Sequence, residues 1–204
     1  MMTADRETGA SNALHAALAA VRGGAVIAVA TDTVYGLACD PANAAAVDRV
    51  YVIKGRPAGM ELSLLAGDAA DLDDLVRWTA IAEHLAEAFW PGPLSLVLPI
   101  GVRGLAVPRR GGTVSVRVPD HDRLRDLLRE SGPLASTSAN RHRAPPLTQA
   151  AAVRREFGAE IGAVLAGGRP RGSASTIIDC SVTPPRVLRD GPIDSHRLRE
   201  FVQG

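Results

Sequence analysis

The pattern of apolar and polar positions divides the chain into alternating helices and strands. Apolar positions with helical spacing predict helices over residues 11–22, 41–54, 69–78, 79–89, 122–130 and 148–160, with a last helix beginning near Asp194. Short apolar or alternating runs predict strands over residues 25–30, 62–66, 94–100, 113–118, 163–166, 175–180 and 186–188, and another that leads into Ser136. The first of these strands has no polar position, as expected of a strand buried on both faces.

This order of elements indicates one α/β domain. The Pro-, Gly- and Arg-rich loops at residues 141–146 and 167–173 do not resemble domain linkers, and the sequence has no internal repeat. We therefore expect helices packed on a mixed sheet. Residues 1–10 are polar and are predicted to form a flexible tail, which leaves residues 11–204 as the single domain.

Composition adds few constraints, because it is ordinary for a soluble globular protein. Apolar residues make up 46% of the 204 positions and charged residues 22%, with a net charge of +1. Such a small net charge gives no global basic field for nucleic acid. The two cysteines, Cys39 and Cys180, lie far apart, which favours a reduced compartment over a disulfide framework. No apolar run reaches membrane-spanning length, so we expect a cytoplasmic protein that has no membrane partner.

Several common catalytic and binding motifs are missing from the sequence. It contains no GxGxxG after the first strand, no GxxxxGK[ST], no GxSxG and no HExxH. The five histidines have no metal-ligand spacing, and no metal site made by protein side chains is expected. The usual signatures of hydrolases, metalloenzymes and dinucleotide-binding proteins are therefore absent.

Polar side chains cluster instead where apolar strands end or begin. The clusters are Thr31, Thr33 and Tyr35, then Ser136, Thr137, Ser138 and Asn140, and finally Ser175-Thr176. One interpretation is that they cap helices and satisfy the backbone of turns. The other is a shared ligand pocket, because ligands of open α/β sheets bind at the carboxyl ends of strands.

Cationic residues give a second indication of a ligand. Lys54 and Arg56 lie where the second predicted helix ends, and one interpretation places them near its C-terminal carbonyls. The alternative is that they neutralise a polyphosphate, since Arg binds phosphate oxygens bidentately and Lys acts as a point charge. Arg117 and Arg189 adjoin apolar positions, and each requires an anionic partner if it faces the core.

Seven motifs, in this order, resemble those of YrdC-like proteins. They are Thr31–Leu37 (TDTVYGL), Lys54–Pro57 (KGRP), Trp90–Leu94 (WPGPL), Val114–Pro119 (VSVRVP), Thr137–Asn140 (TSAN), Ser175–Asp179 (STIID) and Leu188–Gly191 (LRDG). The chain is most similar to the threonylcarbamoyl-AMP synthases of that family, whose hallmark is the KxR motif together with SxN. The resemblance extends from residue 10 to residue 192.

The resemblance implies a twisted, open mixed sheet with flanking helices in a single α/β domain, with a concave, positively charged cavity. It also implies an enzyme that joins L-threonine, bicarbonate and ATP into threonylcarbamoyl-AMP and pyrophosphate, for the threonylcarbamoyladenosine modification of tRNA. Mg²⁺ is expected as a cofactor, bound mainly through the ATP phosphates. Other proteins are expected to transfer the threonylcarbamoyl group downstream.

The resemblance also assigns roles to individual residues. Lys54 and Arg56 are the implied catalytic residues. The implied ATP-binding residues are Lys54, Arg56, Thr113, Ser138, Asn140 and Arg189. The implied threonine-binding residues are Thr33, Tyr35, Arg117, Ser136 and Ser175.

Two alternatives remain for the same fold. The first is an RNA-binding or ribosome-maturation module, and weak binding of tRNA or other RNA is retained as a hypothesis. The near-neutral charge and the 3% of aromatic residues argue against a dedicated RNA-binding protein. The second is an inactive paralogue, which the presence of both KxR and SxN argues against.

Overall fold

The computed structural model describes residues 2–101, 105–107, 111–168, 170–194, 196–198 and 201, and for residues 2–10 it describes the backbone alone. Within these residues, nine strands form a single sheet. The strands are β1 (Ile27–Ala30), β2 (Tyr35–Cys39), β3 (Ser63–Leu65), β4 (Leu94–Pro99), β5 (Thr113–Arg117), β6 (Leu134–Ser138), β7 (Val164–Leu165), β8 (Thr176–Asp179) and β9 (Arg186–Arg189). Their order across the sheet is β7-β1-β2-β6-β3-β5-β4-β8-β9.

The sheet is mixed and open, which confirms the predicted fold class. The pairs β1/β7, β3/β5 and β4/β8 are parallel, and the other five pairs are antiparallel. The flanking helices are α1 (Met2–Arg22), α2 (Ala44–Lys54), α3 (Ala80–Phe89), α4 (Asp122–Ser131) and α5 (Ala150–Phe157). Among the described residues, no helix has the length and apolar character needed to cross a bilayer.

Two elements differ from the sequence prediction. β2 was not predicted, because Gly36 and Ala38 have low strand propensity and the strand follows β1 after a short polar turn. The helix predicted over 69–78 is wrong, since the structure has only a single 3-10 turn at Ala70–Leu72. There the carboxylate of Asp71 accepts from the backbone N–H of Asp68 at 2.8 Å, a local bond that competes with helix formation.

Both ends of the chain have helical backbone within the described residues. Residues 2–10, predicted as a flexible tail, have helical backbone and extend α1, because Ala, Met, Arg and Glu are good helix formers. Whether this segment is flexible stays a prediction. The helix predicted from about Asp194 lies partly outside the described residues, and residues 196–198 are helical.

Both faces of the sheet are covered by helices, although one is covered only in part. Alternate residues of β1 point to opposite faces: Ala28 and Ala30 join the core under α2, α3 and α5, whereas Ile27 and Val29 join the core under α1 and α4. This explains why the β1 run has no polar position. The second core reaches only the part of the sheet near β7, β1, β2 and β6, with Leu65 of β3 at its margin.

Beyond that margin, the strands carry small polar residues on the face that α1 and α4 leave open. In β3, β4 and β5 the leucines and valines on one face belong to the first core, whereas Ser63, Ser95 and Ser115 alternate with them on the other. The open face of the central strands is therefore the floor of a polar cavity.

We predict that replacing Leu127 of α4 by alanine destabilises the fold by about 2–5 kcal/mol, because the side chain is fully buried in the second core. The matched control is Val52→Ala on α2. Val52 is 64% exposed, so the control should stay within about 0.5 kcal/mol of the unchanged protein. Urea denaturation measures both free energies of unfolding, and equal losses in the two variants would contradict the two-core packing.

Candidate functional site

A cavity of about 420 Å³ opens on this polar face, within the size range of small-molecule sites. It is lined by Thr31, Thr33, Val34, Tyr35, Gly36, Arg56, Glu61, Ser63, Leu65, Ser95, Val97, Ser115, Arg117, Ser136, Thr137, Ser138, Pro146, Ala174, Ser175, Ile177, Leu188 and Arg189. Eight of the eleven predicted site residues belong to this lining, although they come from distant parts of the chain. Lys54, Thr113 and Asn140 are the three that do not.

The turn between β1 and β2 supplies Thr33 and Asp32. The hydroxyl of Thr31 donates to the carbonyl of Val34 at 2.7 Å, and it accepts from the backbone N–H of Thr33 at 3.0 Å. The hydroxyls of Thr31 and Thr33 are 2.8 Å apart. These local bonds fix the turn, so the Thr33 side chain is held at the cavity wall.

Arg117 of β5 faces the cavity and has an anionic partner, as its position between apolar residues required. Its guanidinium donates to the Thr33 hydroxyl at 2.9 Å, to the Gly92 carbonyl at 2.9 Å and to the carboxylate of Asp32. The side chains of Arg117 and Asp32 are only 5% and 4% exposed. Burial lowers the pKa of Arg117, and the Asp32 charge opposes that shift. The second carboxylate oxygen of Asp32 is buried without a hydrogen-bond partner.

A second guanidinium reaches the same end of the cavity. Arg189 of β9 donates to the carbonyl of Ser175 at 2.9 Å and to its hydroxyl at 3.0 Å. The Ser175 hydroxyl also lies 2.8 Å from that of Ser95 on β4. The charge of Arg189 contributes to lowering the pKa of Arg117, which shows that the two cations are close enough to interact. Two arginines and three hydroxyl groups therefore form an anion site here.

Arg56 provides a separate cation elsewhere in the lining. Its guanidinium donates to the Thr137 hydroxyl at 3.4 Å and to the Glu61 carbonyl at 3.1 Å, and it lies 5.1 Å from the centre of the Tyr51 ring. Its Nε atom is buried without a partner. Burial lowers the pKa of Arg56, yet an arginine stays charged at neutral pH. The guanidinium thus presents a positive charge to the cavity.

Lys54 does not line the cavity, although the sequence pairs it with Arg56. Gly55 ends α2 in the left-handed conformation (φ 62°), and this turn separates the directions of the two side chains. The ammonium of Lys54 donates to the Ser138 carbonyl at 2.6 Å, the Asn140 carbonyl at 3.1 Å and the Asn140 side-chain oxygen at 2.8 Å. All three of its donors are used within the protein.

Asn140 is equally occupied by the protein itself. Its side-chain oxygen accepts from Lys54 and from the Ser138 hydroxyl at 2.6 Å, while its amide donates to the carbonyls of Arg141 at 2.9 Å and Ala144 at 2.6 Å. The pair formed by Lys54 and Asn140 is thus a structural contact that fixes the end of β6. Direct contact of these two residues with ATP stays a prediction. The polar groups of both side chains already form hydrogen bonds within the protein.

Lys54 is also the only lysine in the chain, against 22 arginines. An ammonium group can point its three donors at three converging acceptors, whereas the planar guanidinium cannot. Burial, and then the neighbouring Arg56 charge, lowers the pKa of Lys54 to about 8. The three acceptor oxygens oppose this shift, because they hydrogen-bond to the charged form, and Lys54 is protonated at neutral pH.

Two other predicted residues lie at the border of the cavity. The ring of Tyr35 packs in the first core, and burial raises the pKa of its hydroxyl, opposed by a hydrogen bond with the Gly167 backbone. Thr113 is on the open face of the sheet, two residues before Ser115 and outside the lining of the cavity. Tyr35 thus supports the wall of the cavity, and Thr113 lies next to its floor.

Four residues at this site were missed by sequence reasoning: Asp32, Ser63, Ser95 and Ser115. The three serines had a usable signal, because each alternates with buried leucines or valines on a strand, in Leu62–Leu65, Leu94–Leu98 and Val114–Val118. Such alternation predicts a strand with one polar face. Asp32 had no such signal, since its importance comes from a partner 85 positions away.

A larger cavity of about 600 Å³ lies outside this site. Its lining includes Trp78 and Trp90 with four carboxylates, those of Asp68, Asp73, Glu83 and Glu87, and a single cation, Arg125. Acidic walls repel phosphates and carboxylates. The smaller cavity is therefore the better candidate for an anionic ligand, despite its size.

The described residues contain no group of three or more His, Cys, Asp and Glu side chains arranged to hold a metal ion. The lining of the candidate site contributes one carboxylate, that of Glu61. A cation that takes most of its oxygen ligands from a bound phosphate group needs few protein ligands, and a single carboxylate fits such a requirement.

Comparison with known proteins identifies relatives of this chain. The Sua5/YciO/YrdC family model, described as "Telomere recombination", matches residues 19–191. A threonylcarbamoyl-AMP synthase of Laribacter hongkongensis is 42% identical over 178 residues, which are 85% of this chain and 94% of that protein. The enzyme of that name from Bacillus subtilis is 36% identical over 91% of this chain, which spans 55% of the Bacillus protein.

Among solved structures, that of P. abyssi Sua5 complexed with L-threonine superimposes with a TM-score of 0.85. It is 36% identical in sequence, and the match covers 92% of this chain and 56% of that one. The fold of this chain therefore corresponds to about half of the archaeal protein.

We predict that Lys54→Met destabilises the protein by about 3 kcal/mol, because it leaves three buried acceptors without a donor. Lys54→Arg should recover only part of this loss, since a planar group cannot reach all three. The control is Arg56→Met, which should change stability by less than about 1 kcal/mol because Arg56 lines an open cavity. Urea denaturation separates the cases, and equal stability of the two Met variants would refute the structural role of Lys54.

Proposed function

Because the chain belongs to the Sua5/YciO/YrdC family, we propose that it is a threonylcarbamoyl-AMP synthase. The substrates are L-threonine, bicarbonate and ATP, and the products are threonylcarbamoyl-AMP and pyrophosphate. The threonylcarbamoyl group then serves the modification of tRNA through downstream transfer proteins. We also propose a cytoplasmic location, where the tRNA that this activity serves is modified.

One observation carries the proposal: a single cavity has an arginine pair at one end and a separate arginine elsewhere in its wall. Arg117 and Arg189 interact at the first end, and Arg56 contacts Thr137 and Glu61. Hydroxyl groups line the floor between these cations. Such a cavity suits two anionic substrates that must be held close together in spite of their mutual repulsion.

The two substrates are assigned to different parts of the cavity. L-Threonine is bound by Thr33, Arg117, Ser136 and Ser175, with Arg117 facing its carboxylate and Tyr35 supporting the wall behind. ATP is held by Arg56 and Ser138, with Thr113 beside the floor. Arg189, the remaining residue expected to bind ATP, lies beside Ser175 at the Arg117 end and is left for the part of the nucleotide that faces threonine. Lys54 and Asn140 act as positioning residues, because their contacts with Ser138 set the edge of the nucleotide site.

In the reaction, the neutral amine of threonine combines with bicarbonate to give a carbamate anion and water. A carbamate oxygen then attacks the α-phosphorus of ATP, and the bond from that phosphorus to the bridging oxygen of pyrophosphate breaks. No covalent protein intermediate is required. The arginines contribute by orienting the two anions and by stabilising the charge that moves onto pyrophosphate.

Mg²⁺ is proposed as the cofactor, held mainly by the ATP phosphates. Glu61 is the carboxylate of the cavity lining that is placed to share in holding it. When bound, such an ion neutralises phosphate charge. This role also accounts for an acidic side chain in a cavity that otherwise favours anions.

We predict that the protein releases pyrophosphate from ATP, bicarbonate and Mg²⁺ only when L-threonine is present, and that chelation of Mg²⁺ with EDTA abolishes the release. A coupled pyrophosphate assay measures the rate, and mass spectrometry identifies threonylcarbamoyl-AMP. If pyrophosphate release is absent or independent of threonine, the proposal fails. Salt-sensitive RNA binding in that case would favour the RNA-binding alternative, and its absence would favour an inactive paralogue.

We further predict that two variants affect the two substrates separately. Arg56→Gln should raise the KM for ATP by about tenfold or more, since it removes charge-assisted hydrogen bonds to phosphate. Thr33→Val preserves shape but removes the hydroxyl that contacts Arg117, so it should raise the KM for threonine instead. Steady-state kinetics with each substrate varied in turn provides the test, and Ser131→Ala on α4 is the control outside the cavity.

A further inference from the structure

Three serines stand side by side across the floor of the cavity. The strand register pairs Ser63 of β3 with Ser136 of β6 on one side and with Ser115 of β5 on the other. Directly paired residues point to the same face of a sheet, and neighbouring strands are about 4.8 Å apart. Ser136, Ser63 and Ser115 therefore form a continuous line of hydroxyl groups, which we call the serine row.

The serine row has donors available to a ligand. The Ser63 hydroxyl donates to that of Ser115 at 3.1 Å, which leaves the proton of Ser115 free to donate further. Ser136 is only 6% exposed, lines the cavity and has no side-chain hydrogen bond within the described part of the chain. A hydroxyl that faces the cavity and has no protein partner is available to hydrogen-bond a ligand.

The opposite strand leaves space for this unpaired hydroxyl. A Cβ atom at Gly36 of β2 would lie 2.7 Å from the Ser136 Oγ, closer than van der Waals contact permits. The absence of a side chain at Gly36 thus keeps the Ser136 hydroxyl accessible at the edge of the cavity. Ser136 is open to the cavity because the neighbouring strand has a glycine at position 36.

The register also places the serine row between the two cationic regions. β3 and β5 run parallel, so the residues that follow Ser63 and those that follow Ser115 lie towards the same end of the cavity floor. Arg117 lies two residues after Ser115, whereas Glu61, whose carbonyl accepts from Arg56, lies two residues before Ser63. Each step of two residues is about 7 Å. The order along the floor is therefore Arg117, the serine row and then the Arg56 region.

We propose that the serine row, through Ser63 and Ser115 with Ser136 at its edge, is the subsite for bicarbonate and for the carbamate formed from it. This inference rests on the proposed function. With threonine at Arg117 and the nucleotide at Arg56, the atom that joins them must lie between, and the serine row occupies that interval. The ligand recognised is a small planar anion with two or three oxygens.

The chemistry of the subsite suits hydroxyl groups. Threonine, as its neutral amine, and HCO₃⁻ give the carbamate, with the charge of −1 retained and one water released. The C–N bond forms as a C–O bond breaks. The carbamate then loses its charge as one oxygen bonds to phosphorus, so a cation at this position would stabilise the reactant more than the transition state. Neutral O–H donors hold the anion without that penalty.

The test uses Ser63→Ala, Ser115→Ala and the double variant in the full chain, with pyrophosphate release measured in CO₂-depleted buffer at varied bicarbonate. We expect the double variant to raise the KM for bicarbonate by about tenfold or more, since it loses hydrogen bonds to a charged group. The KM values for threonine and ATP should stay within about twofold of the unchanged enzyme. Binding of L-threonine without bicarbonate, measured by calorimetry, should not change.

Two further variants serve as controls. Ser115→Thr keeps the hydroxyl and should restore the KM for bicarbonate, while Ser131→Ala removes a hydroxyl outside the cavity and should leave it unchanged. Thermal unfolding verifies that each variant folds. An unchanged KM for bicarbonate in the double variant would overturn the inference, as would an equal rise in the KM for threonine. If the unchanged protein shows no threonine-dependent turnover, the proposed function fails first and the subsite fails with it.

Discussion

The contact between Lys54 and the end of β6 is the interaction on which the candidate site depends. One ammonium group joins the C-terminus of α2 to the carbonyls of Ser138 and Asn140 and to the Asn140 side chain. The backbone N–H of His142 in turn donates to the Lys54 carbonyl at 2.8 Å. Ser138 and Arg56 consequently keep fixed positions relative to each other, although they are far apart in sequence. Without this contact, the segment that carries Arg56 would be joined to β6 and the residues after it by fewer bonds, among them those from Arg56 to Thr137 and from His142 to the Lys54 carbonyl.

Alternate residues of the central strands face opposite sides of the sheet, so one face packs in the core and the other forms the ligand cavity. On β3, β4 and β5 the residues of one face are apolar and belong to the first core, whereas the other face includes Ser63, Ser95, Ser115 and Arg117. Substitutions on the second face alter a cavity filled by solvent or ligand, so they leave the packing of the core intact. This arrangement allows a polar site to be built from a sheet whose helices cover the remaining surface. The cost of burying Arg117 is offset locally, by the carboxylate of Asp32.

Much of the fold could be predicted from the sequence, because β1, β4 and β5 have periodic patterns that depend on nothing outside themselves. β2 could not, because Gly36 weakens the strand signal for a reason that is visible only in space, namely the room needed by the Ser136 hydroxyl. Of the eleven residues to which the motif resemblance assigned roles, eight line the cavity. It could not show that Lys54 and Arg56 point in different directions, because that depends on the left-handed conformation of Gly55. Asp32 was missed for a similar reason, since a buried ion pair is defined by its partner and not by its neighbours in sequence.

Because the chain has a single lysine, chemical labelling can follow the contact between Lys54 and the 138–140 segment. All other cationic side chains are arginines, so the protein has one ε-amine, and folding buries it at 3% exposure. An amine-directed acylating reagent can reach that nitrogen only when α2 and the 138–140 segment separate. The acylation rate of Lys54 therefore reports the local opening equilibrium of the site, even when the rest of the molecule stays folded.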